Sequence, residues 1–284
     1  MTWGEILTTR EVEFCQGVEK DLANVAWVQP LLSKVRDAGF SYSSKPFLFE
    51  LRFANDVHLR KLTAKYECQQ TNIPGSVDFE IENHGTTWAL ELAAVMTSDA
   101  VKQATVEDGI FFETHLSSDA EDPRHSEEGE LLLAQQKIGQ KVFDGQSPVK
   151  FPEPVAGRYH AIIMDMRGFG LGGGDNLDYR EIAFGPAGFS QADAHFRHYW
   201  RKPDGTLSPI RGLFDHGNRF LKAARFVQER IHFIGFSLDE DYSAGSILEN
   251  VYYAANPYLF APSEADEAFS KYPLRPSPNR FACL

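Results

Sequence analysis

Two short stretches of this sequence carry acidic residues at a spacing suited to chemistry on a charged substrate. One runs Ser76-Val77-Asp78-Phe79-Glu80-Ile81-Glu82, the other Thr86-Thr87-Trp88-Ala89-Leu90-Glu91-Leu92. Apolar and polar residues alternate along both, the period of strands with one buried face. If His84-Gly85 forms a two-residue turn, Ile81 faces Trp88, Phe79 faces Leu90 and Val77 faces Leu92. These apolar pairs share one face, and a one-residue slip would mismatch them all. The same register sets Asp78 directly opposite Glu91 on the other face. Carboxylates so opposed, with Cβ atoms about 5 Å apart, repel unless a proton or cation lies between them. Magnesium takes one or two carboxylates with water and phosphate oxygens, so the pair is a candidate metal site. Without a ligand, Asp78 and Glu91 read as exposed polar residues on a half-solvated sheet. Ala89 and Ala93 beside Glu91 weigh against that, because small residues suit a covered face.

The surrounding elements must position this pair. Pro46 suits the first turn of a helix over residues 46–63. Glu50 on that helix lies among Phe47, Leu48, Phe49 and Leu51, company in which a carboxylate needs a partner: a metal, Arg52 or another base. A short strand spans 65–69, and Ile73-Pro74-Gly75 is a turn signal. A helix over 129–143 carries Lys137 and Lys141, four apart and so on one face. The apolar run Tyr159 to Met166 reads as a buried strand. Farther on, the patterns predict helices at 191–200 and 219–230 and strands at 231–236 and 251–254.

Strands alternating with helices indicate an α/β layer fold. Residues 1–45 have helical spacing interrupted at Pro30 and read as an N-terminal helical extension. Residues 46–262 read as one α/β domain, and the proline-containing stretch 263–284 as a peripheral tail. Residues 117–129 look like a solvated acidic loop.

A hydrophobic fraction of 43% with 22 Phe supplies ample material for a packed core and argues against global disorder. No apolar run approaches the roughly 18 residues of a membrane span, and Met1 to Glu5 do not open a secretory signal. Cys15, Cys68 and Cys283 are odd in number and far apart, which fits a reducing, cytoplasmic setting. The formal net charge of −12 counts against a protein that coats nucleic acid generically, but a local basic groove or a bound cation can offset it.

The order helix with Glu50, strand with Val77-Asp78, strand with Glu91-Leu92-Ala93, helix 129–143 and strand 159–166 resembles the PD-(D/E)XK, restriction-endonuclease-like nuclease superfamily. The resemblance covers about 120 of the 284 residues and rests on a short, degenerate motif. It implies a three-layer α/β/α core with a mixed sheet and Mg2+ or Mn2+ held by Asp78 and Glu91. The Leu92 carbonyl and Glu50 would be further ligands, and a DNA phosphodiester the substrate. Ala93 stands where the family has its lysine. In some members the base comes from the next helix, where Lys137 and Lys141 are the candidates here, and Gln136 and Gln140 resemble a glutamine motif of exonuclease relatives. If neither lysine serves, the resemblance implies a non-cleaving protein of the same fold, a binding or interaction module of a defence or mobile-element system. An unrelated α/β protein, with the hairpin pair a coincidence, is the third reading.

Other features are less specific. The glycine-rich stretch after Gly168 lacks the Lys-Ser/Thr of a P-loop and reads as a loop. His195 and His198 could share a helical face, but with Asp193 and His216 they match no zinc spacing. Arg197, Arg201 and Lys202 with Tyr199 and Trp200 form a basic-aromatic cluster, readable as a nucleic-acid contact or as a packing edge.

Overall fold

The computed structural model describes residues 7–108, 111–114, 116, 126–170, 172–201, 204–237, 246–274 and 281–282. The helices are α1 (Thr9–Asp21), α2 (Gln29–Ala38), α3 (Lys45–Leu59), α4 (Asp99–Ala104), α5 (Glu127–Val142), α6 (Asn176–Phe184), α7 (Leu221–Arg230) and α8 (Pro262–Ser270). The strands are β1 (Ala64–Gln69), β2 (Ser76–Asn83), β3 (Thr86–Ala94), β4 (Thr105–Asp108), β5 (Phe111–Thr114), β6 (Arg158–Asp165), β7 (Tyr199–Arg201), β8 (Leu207–Pro209), β9 (Phe233–Ser237), β10 (Val251–Ala255) and β11 (Phe281–Ala282).

A seven-stranded mixed sheet has the order β1-β2-β3-β6-β9-β10-β11. The β1–β2, β2–β3 and β9–β10 pairs are antiparallel, and β3–β6, β6–β9 and β10–β11 are parallel. The hairpin strands are therefore neighbours, and the acidic residues share one part of the sheet. Helices cover both faces. On one, Val18 of α1, Leu32 of α2, Phe53 of α3 and Phe269 of α8 pack with Phe79, Trp88, Leu90 and Phe233. On the other, Leu131 and Ile138 of α5, Ile182 of α6 and Val227 of α7 pack with Ala89, Ala93, Ile162 and Phe236. The central strands β6 and β9 are apolar on both sides because both sides are covered. The first helices and α8 thus share the core of residues 46–262, and Ala265, Ala268, Tyr272 and Leu274 are buried with them.

Several ends have local causes. Thr8 and Glu11 form a capping box at α1. Pro30 opens α2 from its first turn, where the missing N–H costs nothing. Asn256 gives its side-chain amide to the carbonyls of Gln228 and Ile231 at 2.8 and 2.6 Å, satisfying the C-terminal end of α7.

Besides the buried α8, the structure departs from the sequence pattern in three places. Helix α6 begins inside the stretch read as a glycine-rich loop, where Asp175 and Asp178 form a reciprocal cap. Residues 191–200 are not a helix: a short turn at Ala194–Phe196 leads into β7. The His198 N–H, which a helix would spend on a carbonyl four residues back, goes instead to Glu181 Oε1 at 3.0 Å.

The third departure is in the hairpin. Ile81–Trp88 and Phe79–Leu90 pair as the pattern requires, but the β2–β3 ladder ends at Phe79–Leu90, leaving Asp78 and Glu91 unpaired across it. Val77 does not join Leu92 on one face. It packs in the α5 layer, while Phe79, Ile81 and Leu92 pack in the α3 layer. The neighbouring strand changes face at the same level, since Tyr66 packs in the α3 layer and Cys68 in the α5 layer. Between them Glu67 takes φ +50°, a left-handed conformation that turns the strand over.

The acidic loop over 117–129 falls mostly outside the described residues, which resume at Ser126. No helix among the described residues is long and apolar enough to cross a membrane.

Candidate functional site

The turn-over of β1 and β2 opens the sheet beside the middle of β3, and the charged residues gather there. Asp78 reaches into the gap and accepts the Leu92 backbone N–H at 2.7 Å on Oδ2. In a strand, the N–H and C=O of one residue point to the same side, so the Leu92 carbonyl faces the gap as well. Burial holds the Asp78 carboxyl well above its ordinary range. The charges of Glu91 and Glu50 add to this, and those of Lys150 and Lys141 oppose it.

Glu91 lies between Ala89 and Ala93 on the face covered by α5 and is 0% exposed. Two ammonium groups meet at its Oε1: Lys141 Nζ at 2.7 Å and Lys150 Nζ at 2.5 Å. Its other oxygen, Oε2, is buried and accepts no hydrogen bond among the described residues. Lys141 stands in the last turn of α5. Burial alone would lower its pKa, but Glu91, Asp78 and Glu50 outweigh that and raise it, keeping the ammonium charged.

Glu50 projects from α3. Its partner is neither Arg52 nor another base but the Tyr66 hydroxyl, which donates to Oε2 at 2.6 Å. Burial raises the Glu50 pKa, with the Tyr66 bond and the Lys34 charge working against it. Lys34 reaches Tyr66 Oη at 3.2 Å and Glu67 at 2.5 Å.

Ala93, at the position of the absent lysine, helps line a cavity of about 110 Å3 with Glu50, Leu92, Lys137 and Lys141. Lys137 is exposed and makes no ion pair with Glu91. Of the residues singled out from the sequence, Asp78, Glu91, Glu50 and Lys141 therefore come together, and Lys137 stands at the rim. Gln136 and Gln140 are exposed. The buried glutamine of α5 is Gln135, which bonds to the Arg211 carbonyl and to Asn218 as a structural tie.

Lys150 went unread. It follows Pro148-Val149 in a loop with no periodicity, and its position depends on contacts distant in sequence. Gly75 donates its N–H to the Val149 carbonyl at 2.8 Å, and a Cβ at Gly75 would lie 2.3 Å from that oxygen.

The remaining candidates do not join this site. The His198 ring bonds Glu181 at 2.7 Å and Glu127 at 3.2 Å. His195 lies against Phe196 and His216 against Tyr258, so these histidines do not converge. Arg219 lies over the Trp200 ring at 4.3 Å, and Lys202 is outside the described residues. Gly168 approaches the end of β3 so closely that a Cβ would meet the Val95 carbonyl oxygen at 2.1 Å, a packing reason for that glycine.

Among the described residues, no three or more His, Cys, Asp or Glu side chains form a group that could hold a metal ion. Two carboxylates with a backbone carbonyl and water remain a donor set suited to magnesium. Here Glu91 Oε2 has no donor, and Asp78 accepts the Leu92 N–H on Oδ2. In comparisons with models of known families, with curated proteins and with solved structures, nothing matches this chain.

Proposed function

We propose that the protein is a metal-dependent nuclease of the PD-(D/E)XK kind, acting on DNA phosphodiester bonds with Mg2+ or Mn2+. The observation that carries this reading is the buried Glu91 carboxylate, held at one oxygen by Lys141 and without a donor at the other, beside Asp78 and Glu50. The order α3-β1-β2-β3-α5-β6, interrupted by α4, β4 and β5 before α5 and with β3 parallel to β6, supports a restriction-endonuclease-like core. Asp78, Glu91 and the Leu92 carbonyl would supply the metal's oxygens, with Glu50 acting through water. A divalent cation so held lowers the pKa of a bound water and offsets charge on the phosphate oxygens. Lys141 takes the task left open at Ala93: it orients the attacking water and steadies charge on the phosphate. The acidic net charge makes a local basic surface necessary for DNA, to which the exposed Lys137 at the cavity rim would contribute.

A second reading, a non-cleaving binding protein on the same frame, draws on one specific observation. Glu91 is already neutralised by two lysines and needs no metal for charge balance. Cleavage of linear, circular and single-stranded DNA by the wild type and Asp78→Ala separates the two. Metal-dependent cleavage lost in the variant supports the nuclease. No cleavage by folded wild type, or equal cleavage by both, leaves the binding protein.

A further inference from the structure

Lys150 has no counterpart in the motif that the proposed function uses. Its ammonium shares Oε1 of Glu91 with Lys141, at 2.5 and 2.7 Å, so two like charges crowd one acceptor oxygen. Such crowding is costly and persists because the carboxylate is 0% exposed and requires countercharge. The two lysines are not equivalent. Lys141 rides on a packed helix and lines the cavity at Ala93 and Glu50, where the nuclease chemistry needs an ammonium. Lys150 comes from a loop outside that cavity. The residue before it is fixed through both of its backbone groups, the Val149 N–H to the Val142 carbonyl at 3.0 Å and the Val149 carbonyl to the Gly75 N–H at 2.8 Å. The Lys150 side chain itself is 26% exposed.

We propose that Lys150 stands in for the divalent cation on Glu91 in the metal-free protein, and that metal binding displaces its ammonium toward the substrate phosphate. This rests on the nuclease reading. Lys150 holds the buried carboxylate in place between turnovers, so metal and lysine compete for the same group. Once displaced, the ammonium supplies a positive charge for the phosphate beside Lys141. Metal affinity in the absence of DNA is therefore limited by Lys150, whereas cleavage at saturating metal depends on it.

The test is Mn2+ binding by calorimetry without DNA, paired with cleavage of linear DNA at saturating Mn2+, for the wild type, Lys150→Met and Lys150→Gln. Removing the competing charge is expected to tighten Mn2+ binding by about tenfold or more, the scale of one opposite charge in contact, while cleavage slows by about tenfold or more. Lys150→Gln keeps a donor for Glu91 and reports if Lys150→Met fails to fold. Unchanged or weaker Mn2+ binding in a folded variant, with a wild type that binds metal and cleaves, overturns the exchange and leaves the nuclease reading intact. Unchanged cleavage alongside tighter binding overturns the phosphate role. A wild type that neither binds Mn2+ nor cleaves removes both the nuclease reading and the exchange.

Discussion

Asp78 is bonded to the backbone of Leu92, at 2.7 Å, and not paired with Glu91 across the hairpin. The strands part at this point because a carboxylate that would face another carboxylate finds a free N–H instead. The bond separates the two acids and turns the Leu92 peptide toward the opening. The local cost of breaking the ladder is thereby tied to a cluster of charged groups.

Asp78→Asn tests what this carboxyl does. Burial and neighbouring acids raise its pKa, so folding disfavours its ionised form, and its stability contribution declines as pH rises above the unfolded value. The amide variant is expected to melt at the same temperature as the wild type or higher at pH 8 without metal. Its cleavage rate should fall by at least ~100-fold, the scale of losing metal-based charge stabilisation. Thermal melting and a single-turnover assay check the two halves, and a markedly lower melting temperature would count against the electrostatic account.

Lys141→Met removes one countercharge from a fully buried carboxylate. Breaking a buried pair by deleting one partner costs about 3–5 kcal/mol, and Lys150 retains part of that here, so a loss of about 1–3 kcal/mol is expected. Lys137→Met, at the rim, should cost about 0.5 kcal/mol or less. Urea denaturation of both variants measures the contrast, and equal losses would contradict the geometry.

Gly75→Ala should disturb the site without replacing any of its charged residues, although the new Cβ would also come within 3.3 Å of Lys150 Cγ. The added Cβ would fall 2.3 Å from the Val149 carbonyl oxygen, which is backbone and cannot swing away. A loss of about 1–3 kcal/mol is expected, the cost of overpacking. Mn2+ binding should change with it as the neighbouring Lys150 shifts. Chemical denaturation and calorimetry read both effects.

The combined contribution of three histidines to stability should be greatest near pH 6.5 and fall on both sides. His160 and His232 are buried, which lowers their pKa values to about 4 and about 3. The unfolded chain then binds more protons than the native one, so their contribution is full above about pH 6.5 and is lost as pH falls. His198 behaves oppositely. Burial works against its charge, but hydrogen bonds and charge from Glu181, joined by Glu127 and Asp178, raise its pKa to about 9. Its contribution is full below about pH 6.5 and is lost as pH climbs through about 9. Melting temperatures from pH 4 to 10 test the profile, and His198→Gln should flatten the alkaline side alone.

The chain's local order was legible in its residues. Alternation at Phe79, Ile81, Trp88 and Leu90 gave the hairpin its register, and β3, α5 and β6 lie within two residues of their expected bounds. The acidic members of the site were legible too, because Asp78, Glu91 and Glu50 are out of place among apolar neighbours. The Asp175–Asp178 cap of α6 was also written in the sequence, hidden by the glycines before it.

Tertiary structure alone decided the rest. Period-two alternation assumes an unbroken strand, so it could not place Val77 once Glu67 turned its neighbour over at φ +50°. Helical spacing gave Lys137 and Lys141 the same face, and only the depth at which α5 packs against β3 chose Lys141 for Glu91. Lys150 reaches the same oxygen across 59 residues of chain, through a loop seated on Gly75. Such a meeting depends on long-range packing, which composition and period do not encode.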